Sequence, residues 1–206
     1  MKVEGMKVVV FDRMEECTET EVNRMLPLVS DQRREQALRY KHTMGQFCCL
    51  KSWGMLRDIL KTPTKPRQNP DQTPIEWQKM EYNEQGKPFL PDGPFFSISH
   101  CKAGIAVAVD EQPIGIDIES IRHADKDLIE RTMNEEEQRM IRSAAQPDRM
   151  FTRLWTQKEA VVKAEGTGIC SCEQLQTLLP DNKTYRLETI EKEKYIYTIR
   201  SGRAHV

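Results

Sequence analysis

One six-residue segment constrains the fold more than any other, because its apolar and acidic residues alternate. Residues 114–119 read Ile-Gly-Ile-Asp-Ile-Glu, the two-residue period of a β-strand with one buried face. The isoleucines are expected on one face, and Gly115, Asp117 and Glu119 on the other. The two neighbouring carboxylates repel each other unless a cation such as Mg²⁺ lies between them. The simpler interpretation, and the more common one for an isolated Asp-x-Glu, is the solvent-exposed face of an ordinary strand.

A second informative segment has the pattern of a helix that Asp148 is expected to cap and that continues to Glu165 and ends at Gly166. Glu159 and Lys163 are one helical turn apart, so they are expected on the same face. Taken alone, the two residues are most simply explained as an exposed ion pair.

The overall charge gives no reason to expect a large charged partner. The chain has 206 residues, with 31 basic and 32 acidic side chains and a formal net charge of −1. Neither nucleic acid nor an anionic membrane surface is therefore expected as a partner. Residues 1–11 are too short and too polar for the core of a signal peptide, and no later stretch approaches transmembrane length. We expect a cytoplasmic protein whose six cysteines are reduced thiols, because their spacing fits neither a disulfide framework nor a zinc site.

The remaining sequence alternates between strand-like and helix-like segments. Strands are predicted at 8–11, 75–82, 95–99, 105–109, 185–187 and 195–199, and helices at 19–26, 30–61 with a break at Gly45, 126–132 and from Asn134 onward. Four prolines between residues 63 and 74 predict a surface connection. The turn at 110–113 is expected to join the strands on either side of it as a hairpin. The order of strand, helices and strands occurs once in each half of the chain.

Three segments, taken in order, resemble the motifs of the surfactin-type (group II) 4′-phosphopantetheinyl transferases. The first is Gly-Lys-Pro at 86–88. The second combines Ser-Ile-Ser-His at 97–100 with Gly-Ile-Asp-Ile-Glu at 115–119, and the third is Trp-Thr-Gln-Lys-Glu-Ala-Val-Val-Lys at 155–163. Each segment alone is weak evidence, but the last two in this order are highly specific. A basic helix at 30–40 extends the resemblance into the N-terminal half.

The resemblance implies both a fold and a reaction. The fold is α/β of the α+β type, a pseudo-twofold monomer of two similar halves, residues 1–111 and 112–206. Each half packs a small, mostly antiparallel sheet on helices, and the active site lies between them. The reaction is Mg²⁺-dependent and moves the 4′-phosphopantetheine arm of coenzyme A to a serine of an acyl, aryl or peptidyl carrier protein, releasing adenosine 3′,5′-bisphosphate.

Two other functions remain open at this stage. A non-catalytic module of the same fold could bind a carrier protein or coenzyme A, although the complete set of acidic and basic motif residues favours an enzyme. A different Mg²⁺-dependent nucleotide phosphotransferase or hydrolase is the other alternative. The absence of a glycine-rich phosphate loop from the sequence argues against it.

The resemblance also assigns roles to individual residues. Asp117, Glu119 and Glu159 are implied as Mg²⁺ ligands, and oxygen-only ligation suits this cation. Glu159, or a metal-bound water near it, is also the candidate base for the carrier serine. Lys163 is implied as a contact of the pyrophosphate that stabilises the leaving group.

Further contacts to the phosphates of coenzyme A are implied for Lys87, Ser99, His100 and Arg33. The sequence departs from the family pattern at two positions. Gln36 stands where a lysine is expected, and Ser97 stands where asparagine is more usual. The loop at 120–127 and the helix after it are where the carrier protein is expected to dock.

Overall fold

The computed structural model describes residues 5–61, 80–91, 93–168, 171–177 and 185–202. In the N-terminal half, the elements are β1 (Lys7–Phe11), α1 (Glu19–Met25), α2 (Asp31–Leu38), α3 (Thr43–Lys61), β2 (Glu81–Tyr82), β3 (Pro88–Phe89), β4 (Phe95–Cys101) and β5 (Gly104–Asp110). In the C-terminal half, they are β6 (Ile114–Ser120), α4 (Lys126–Thr132), α5 (Glu135–Ser143), α6 (Pro147–Glu165), α7 (Cys172–Thr177), β7 (Arg186–Glu191) and β8 (Tyr195–Ser201).

Two antiparallel three-stranded sheets repeat the same topology. The strand order is β1-β5-β4 in the first sheet and β6-β8-β7 in the second, so in each sheet the strand that comes last in the chain lies between the other two. The α+β fold with small antiparallel sheets packed on helices is therefore confirmed. The division predicted between residues 111 and 112 falls in the turn between β5 and β6.

The predicted hairpin between β5 and β6 is wrong. β5 already pairs with β1 on one edge and with β4 on the other, so neither edge is left for β6. Instead, β6 pairs with β8, from Ile114 opposite Ser201 to Ser120 opposite Tyr195. Adjacent strands usually pair, but here the turn at 110–113 carries the chain from one sheet to the other.

The two sheets pack face to face, and a long helix covers the outer face of each. Ala106 and Ala108 of β5 form one core cluster with the three isoleucines of β6 and with Ile199 of β8. This confirms the buried face predicted for β6. The opposite face of the first sheet packs against α3, where Phe47 and Leu50 join Phe11 and Ile105. The opposite face of the second sheet packs against α6.

The helix boundaries follow local rules, with one correction. Ser30 caps α2, because its hydroxyl accepts from Arg33 N at 3.3 Å. The break predicted at Gly45 instead falls between Leu38 and Thr43. A Cβ on Gly45 would lie 2.6 Å from the Tyr40 ring, so this glycine makes room for a side chain and does not end a helix.

The other helix signals hold, except that Asp148 does not cap α6, because the helix already begins at Pro147 and Gln146 is at the N-cap position. Asn134 caps α5 in a capping box with Glu137, and α6 ends at Glu165 before Gly166, which has a φ of +73°. The predicted connection at 63–74 lies outside the described residues, as does most of the strand predicted at 75–82, of which β2 is the described end. Every helix in the described part of the chain is too short or too polar to cross a membrane.

Candidate active site

Gly115 allows helix α6 to lie directly on strand β6. A Cβ at this position would be 1.9 Å from Ala160 O and 2.6 Å from Ala164 N, both backbone atoms of α6. Any side chain at position 115 would therefore push the helix away from the sheet. Because Gly115 and Asp117 share one face of β6, this close approach brings the helix residue Lys163 onto Asp117.

Asp117 is the centre of a buried polar network. Only 2% of its surface is exposed. Its Oδ1 accepts from Lys163 Nζ at 2.6 Å and from Ser99 Oγ at 2.7 Å. Lys163 Nζ also donates to Ser99 Oγ at 2.9 Å. The network joins β4, β6 and α6, so it forms where the two halves meet, and the acidic face of β6 is not an ordinary solvent-exposed face.

Two serines of β4 also hold β4 and β6 together. Ser97 Oγ accepts from Ile116 N at 3.0 Å, and Ser99 Oγ accepts from Ile118 N at 3.3 Å. These backbone groups lie on the edge of β6 that faces away from β8, and buried N–H groups need an acceptor. Sequence reasoning missed this role, although the two-residue spacing of the serines on a predicted strand places both on one face.

Burial and charge shift the pKa values of the acidic and basic groups around this network. The pKa of Glu119 is raised to about 7, first by burial and then by the negative charge of Asp117. Burial and Asp117 also raise the pKa of Glu159, against an opposing effect of Lys163. Burial disfavours the charged form of Lys163. The negative charges of Asp117, Glu159 and Glu119 together have the larger effect and raise the pKa of Lys163. Asp117 and Lys163 therefore form an ion pair, with two carboxyl groups nearby that bind protons more readily than usual.

One carboxylate oxygen of the network, Asp117 Oδ2, is suited to bind a hard cation. Asp117 Oδ2 is buried and makes no hydrogen bond within the described part of the chain, and a buried carboxylate oxygen without a partner is costly. A cation on this oxygen would satisfy it, and carboxylate oxygens are the ligands that Mg²⁺ prefers. Among the described residues, no group of three or more His, Cys, Asp or Glu side chains is arranged to hold a metal, and the cation at Asp117 is the Lys163 ammonium.

A cavity of about 420 Å³ connects this network with the Gly-Lys-Pro motif. Its lining comes from both halves: Gln85, Gly86, Lys87, Pro88, Phe96, Ser97 and Ile98 from one, and Glu159, Val162, Lys163, Gly166 and Gly168 from the other. The Lys87 ammonium donates to the backbone carbonyl of Lys163 and, at 3.3 Å, to Ala164 O. Burial and then the charge of Arg200 lower the pKa of Lys87.

The other residues predicted to contact coenzyme A have different positions. His100 follows Ser99 on β4, and its pKa is lowered by desolvation and by the charge of Lys163. Arg33 is not part of this cavity lining. Its guanidinium stacks 3.6 Å from the centre of the Trp53 ring and donates to Tyr82 OH at 3.4 Å. The structure thus groups Lys87, Ser99 and the acidic residues, whereas Arg33 lies against Trp53.

Lys158 belongs to the helix motif but does not face the site. Its ammonium pairs with Glu137 Oε2 at 2.7 Å, and their side chains are only 1% and 5% exposed. It also donates to the backbone carbonyl of Leu175. The same Glu137 oxygen accepts from Asn134 N at 2.8 Å, so Lys158 ties α6 to α5 and α7. No local sequence signal distinguishes this lysine from a catalytic one.

The structure has two sheets of the same topology, and an acidic and basic cluster lies where they meet. A family model described as "4'-phosphopantetheinyl transferase superfamily" matches residues 113–204. The chain is 30% identical over 174 residues to the 4′-phosphopantetheinyl transferase Sfp of Bacillus subtilis (strain 168), covering 82% of this chain and 72% of that protein. A second 4′-phosphopantetheinyl transferase of Bacillus subtilis is 33% identical over 155 residues, covering 72% and 65% respectively.

A third relative matches a shorter part of the chain. The 4′-phosphopantetheinyl transferase AcpT of Escherichia coli (strain K12) is 40% identical over 92 residues, covering 41% of this chain and 47% of that protein. Together, the three motif segments, the fold and the similarity over most of the chain show the class of enzyme. The chain belongs to the 4′-phosphopantetheinyl transferase superfamily, among its surfactin-type members.

Proposed function

We propose that the protein transfers the 4′-phosphopantetheine arm of coenzyme A to the serine of an apo carrier protein. In this reaction the serine Oγ forms a bond to the β-phosphorus of coenzyme A. The bond from that phosphorus to the bridging pyrophosphate oxygen breaks, and adenosine 3′,5′-bisphosphate leaves. The observation that carries the proposal is the cavity shared by the Gly-Lys-Pro turn, Glu159 and Lys163, because it provides one space for both a nucleotide and the reacting phosphates.

The proposed Mg²⁺ ligands are Asp117, Glu119 and Glu159. The buried, unpartnered Oδ2 of Asp117 supports this assignment, as does the raised pKa of Glu119, since a nearby cation would favour its ionised form. When bound, Mg²⁺ would neutralise negative charge on the pyrophosphate.

Glu159 is proposed as the base that takes the proton from the carrier serine. In the metal-free protein, burial and the charge of Asp117 raise its pKa, so its carboxylate binds a proton more readily than that of an exposed glutamate. It also lines the cavity, so a bound coenzyme would lie beside it. Lys163 has about 30% of its side chain exposed and reaches the same cavity, so its ammonium is proposed to stabilise the departing phosphate.

Binding of coenzyme A is proposed to use Lys87 and His100, with Ser99 holding Lys163 beside the pyrophosphate. Lys87 lies at the cavity, where its ammonium can reach an anion by leaving the carbonyls it now contacts. Arg33, stacked on Trp53, is proposed to contact the 3′-phosphate if the nucleotide extends along α2. We also propose that the protein acts as a cytoplasmic monomer and that the carrier docks at residues 120–127 and α4.

Intact-mass spectrometry on a panel of apo acyl, aryl and peptidyl carrier proteins tests this function. With coenzyme A and Mg²⁺, at least one carrier is expected to gain one phosphopantetheine group per serine, with release of an equal amount of adenosine 3′,5′-bisphosphate. A carrier whose serine is replaced by alanine is the control and should stay unmodified. Bisphosphate release without any carrier would instead indicate a hydrolase, and an unmodified panel would contradict the proposal.

A further inference from the structure

The turn at residues 83–87 is attached to the C-terminal end of α6 by two side chains. Asn83 Nδ2 donates to Gly166 O at 2.9 Å. Lys87 Nζ donates to the backbone carbonyl of Lys163. The last four carbonyl groups of a helix have no partner within the helix itself. A segment of the N-terminal half therefore caps the helix of the C-terminal half that carries Glu159.

Asn83 uses both ends of its amide group. While its nitrogen reaches Gly166, its Oδ1 accepts from Lys87 N at 2.8 Å and from Gln85 N at 3.1 Å. Because backbone N–H groups can only donate, these two contacts fix which end of the amide is oxygen. The oxygen thus shapes the turn, and the nitrogen attaches the turn to the helix.

Gly166 fits this attachment in two ways. Its φ of +73° lies in the left-handed region that favours glycine and ends the helix. A Cβ on Gly166 would lie 3.2 Å from Asn83 Nδ2 and 3.2 Å from Lys87 Cδ, closer than ordinary contact. The helix end therefore has both the backbone conformation and the space that the turn requires.

We propose that Asn83 is a positioning residue, whose side chain fixes the Gly-Lys-Pro turn on α6 and so sets the width of the cavity for coenzyme A. The turn and its extension supply Gln85, Gly86, Lys87 and Pro88 to one wall, and α6 supplies the facing wall. Without the contact to Gly166, the turn keeps only part of its attachment to α6, the contacts of Lys87, and the two walls can move apart more readily. The proposal rests on the proposed function, because it takes coenzyme A as the ligand of this cavity.

Two substitutions distinguish the contact made by the amide nitrogen of Asn83 from those made by its oxygen. Asn83→Asp keeps an oxygen acceptor for the amides of Gln85 and Lys87 but cannot donate to Gly166 O, whereas Asn83→Ala removes both interactions. Asn23→Ala, the same change on the exposed surface of α1, is the matched control. Coenzyme A affinity is measured by isothermal titration calorimetry, KM and kcat by carrier modification, and backbone opening by hydrogen–deuterium exchange.

Asn83→Asp is expected to weaken coenzyme A binding and raise its KM at least about five- to tenfold, because it loses one hydrogen bond and adds a negative charge beside the site of an anionic ligand, with kcat changed less than about twofold. Exchange should accelerate at residues 84–87 and 166–168. Asn83→Ala should show at least the same changes, and Asn23→Ala none. If Asn83 contributed only to overall folding, its loss would reduce the fraction of folded enzyme. The apparent kcat would then fall, and KM would be unchanged.

Wild-type affinity and wild-type exchange in Asn83→Asp would overturn the proposal, even if Asn83→Ala fails to fold. The test of Asn83 can be decided even if the proposed function is wrong. If the wild-type enzyme modifies no carrier, the proposed function fails, but exchange at 166–168, measured without carrier or coenzyme, still decides whether Asn83 holds the turn on α6.

Discussion

At the scale of single residues, Asp117 shows why the common Asp-x-Glu pattern at 117–119 is part of a buried polar network and not of a solvent-exposed strand face. The sequence correctly predicted that the acidic residues share one face of β6, because alternation along a strand is a local property. It could not predict that Lys163 Nζ would lie 2.6 Å from Asp117 or that Ser99 would bridge them. Those contacts depend on how far α6 approaches β6, which is decided by packing over the whole half.

Glu119→Gln is expected to stabilise the metal-free protein at high pH. The folded-state pKa of Glu119 is about 7, raised from 4.5. The folded protein therefore retains a proton between these values that the unfolded chain has lost, and it carries a buried charge above about pH 7. Removing that charge should increase the free energy of unfolding by on the order of 2 kcal/mol at about pH 8, and by little near pH 4.5.

Urea denaturation in EDTA at the two pH values checks this prediction. Exposed Glu84→Gln, which also removes one negative charge, is the control. If Glu119→Gln increased the free energy of unfolding equally at both pH values, the ionisation of Glu119 would not be the cause of the increase.

At the scale of elements, the contact between α6 and β6 places the site, and one glycine controls that contact. Gly115→Ala would put a methyl group 1.9 Å from Ala160 O, so the helix must shift. We expect a loss of about 1–3 kcal/mol in the free energy of unfolding and a large loss of transfer activity. Gly54→Ala in α3 has no atom within 4 Å of the added carbon and should be neutral or slightly stabilising.

Chemical denaturation and carrier modification of both glycine variants test the role of this contact. A Gly115→Ala variant with wild-type stability and activity would mean that α6 adjusts without moving the site. The motif predicted the strand and the helix separately. Their close packing was not evident from the sequence, because a glycine in a strand has several possible causes.

Lys158 is a second element-scale feature, since it connects α6 to α5 through Glu137. Lys158→Met should lower the free energy of unfolding by about 3–5 kcal/mol, because it leaves the Glu137 carboxylate buried without its cation. Adding Glu137→Gln removes that charge and should recover part of the stability and activity. Urea denaturation of the single and double variants measures this. Lost transfer with unchanged stability in Lys158→Met would contradict the structural role.

At the scale of the whole molecule, two copies of one topology create a site that neither half has alone. The repeat of strand, helices and strands was visible in the sequence, as was the family. The hairpin expected at 110–113 was wrong because strand pairing depends on which edges are already occupied, which a local turn signal does not show. The placement of Arg33 against Trp53 likewise depends on long-range packing.

The central claim is that transfer depends on the buried carboxylate of Asp117, held where β4, β6 and α6 meet. The most direct test is the intact mass of a competent apo carrier after incubation with coenzyme A, saturating Mg²⁺ and either wild-type enzyme or Asp117→Ala, with circular dichroism confirming that the variant is folded. We expect the wild-type enzyme to convert the carrier and Asp117→Ala to leave it unmodified. Comparable conversion by the two proteins would contradict the claim.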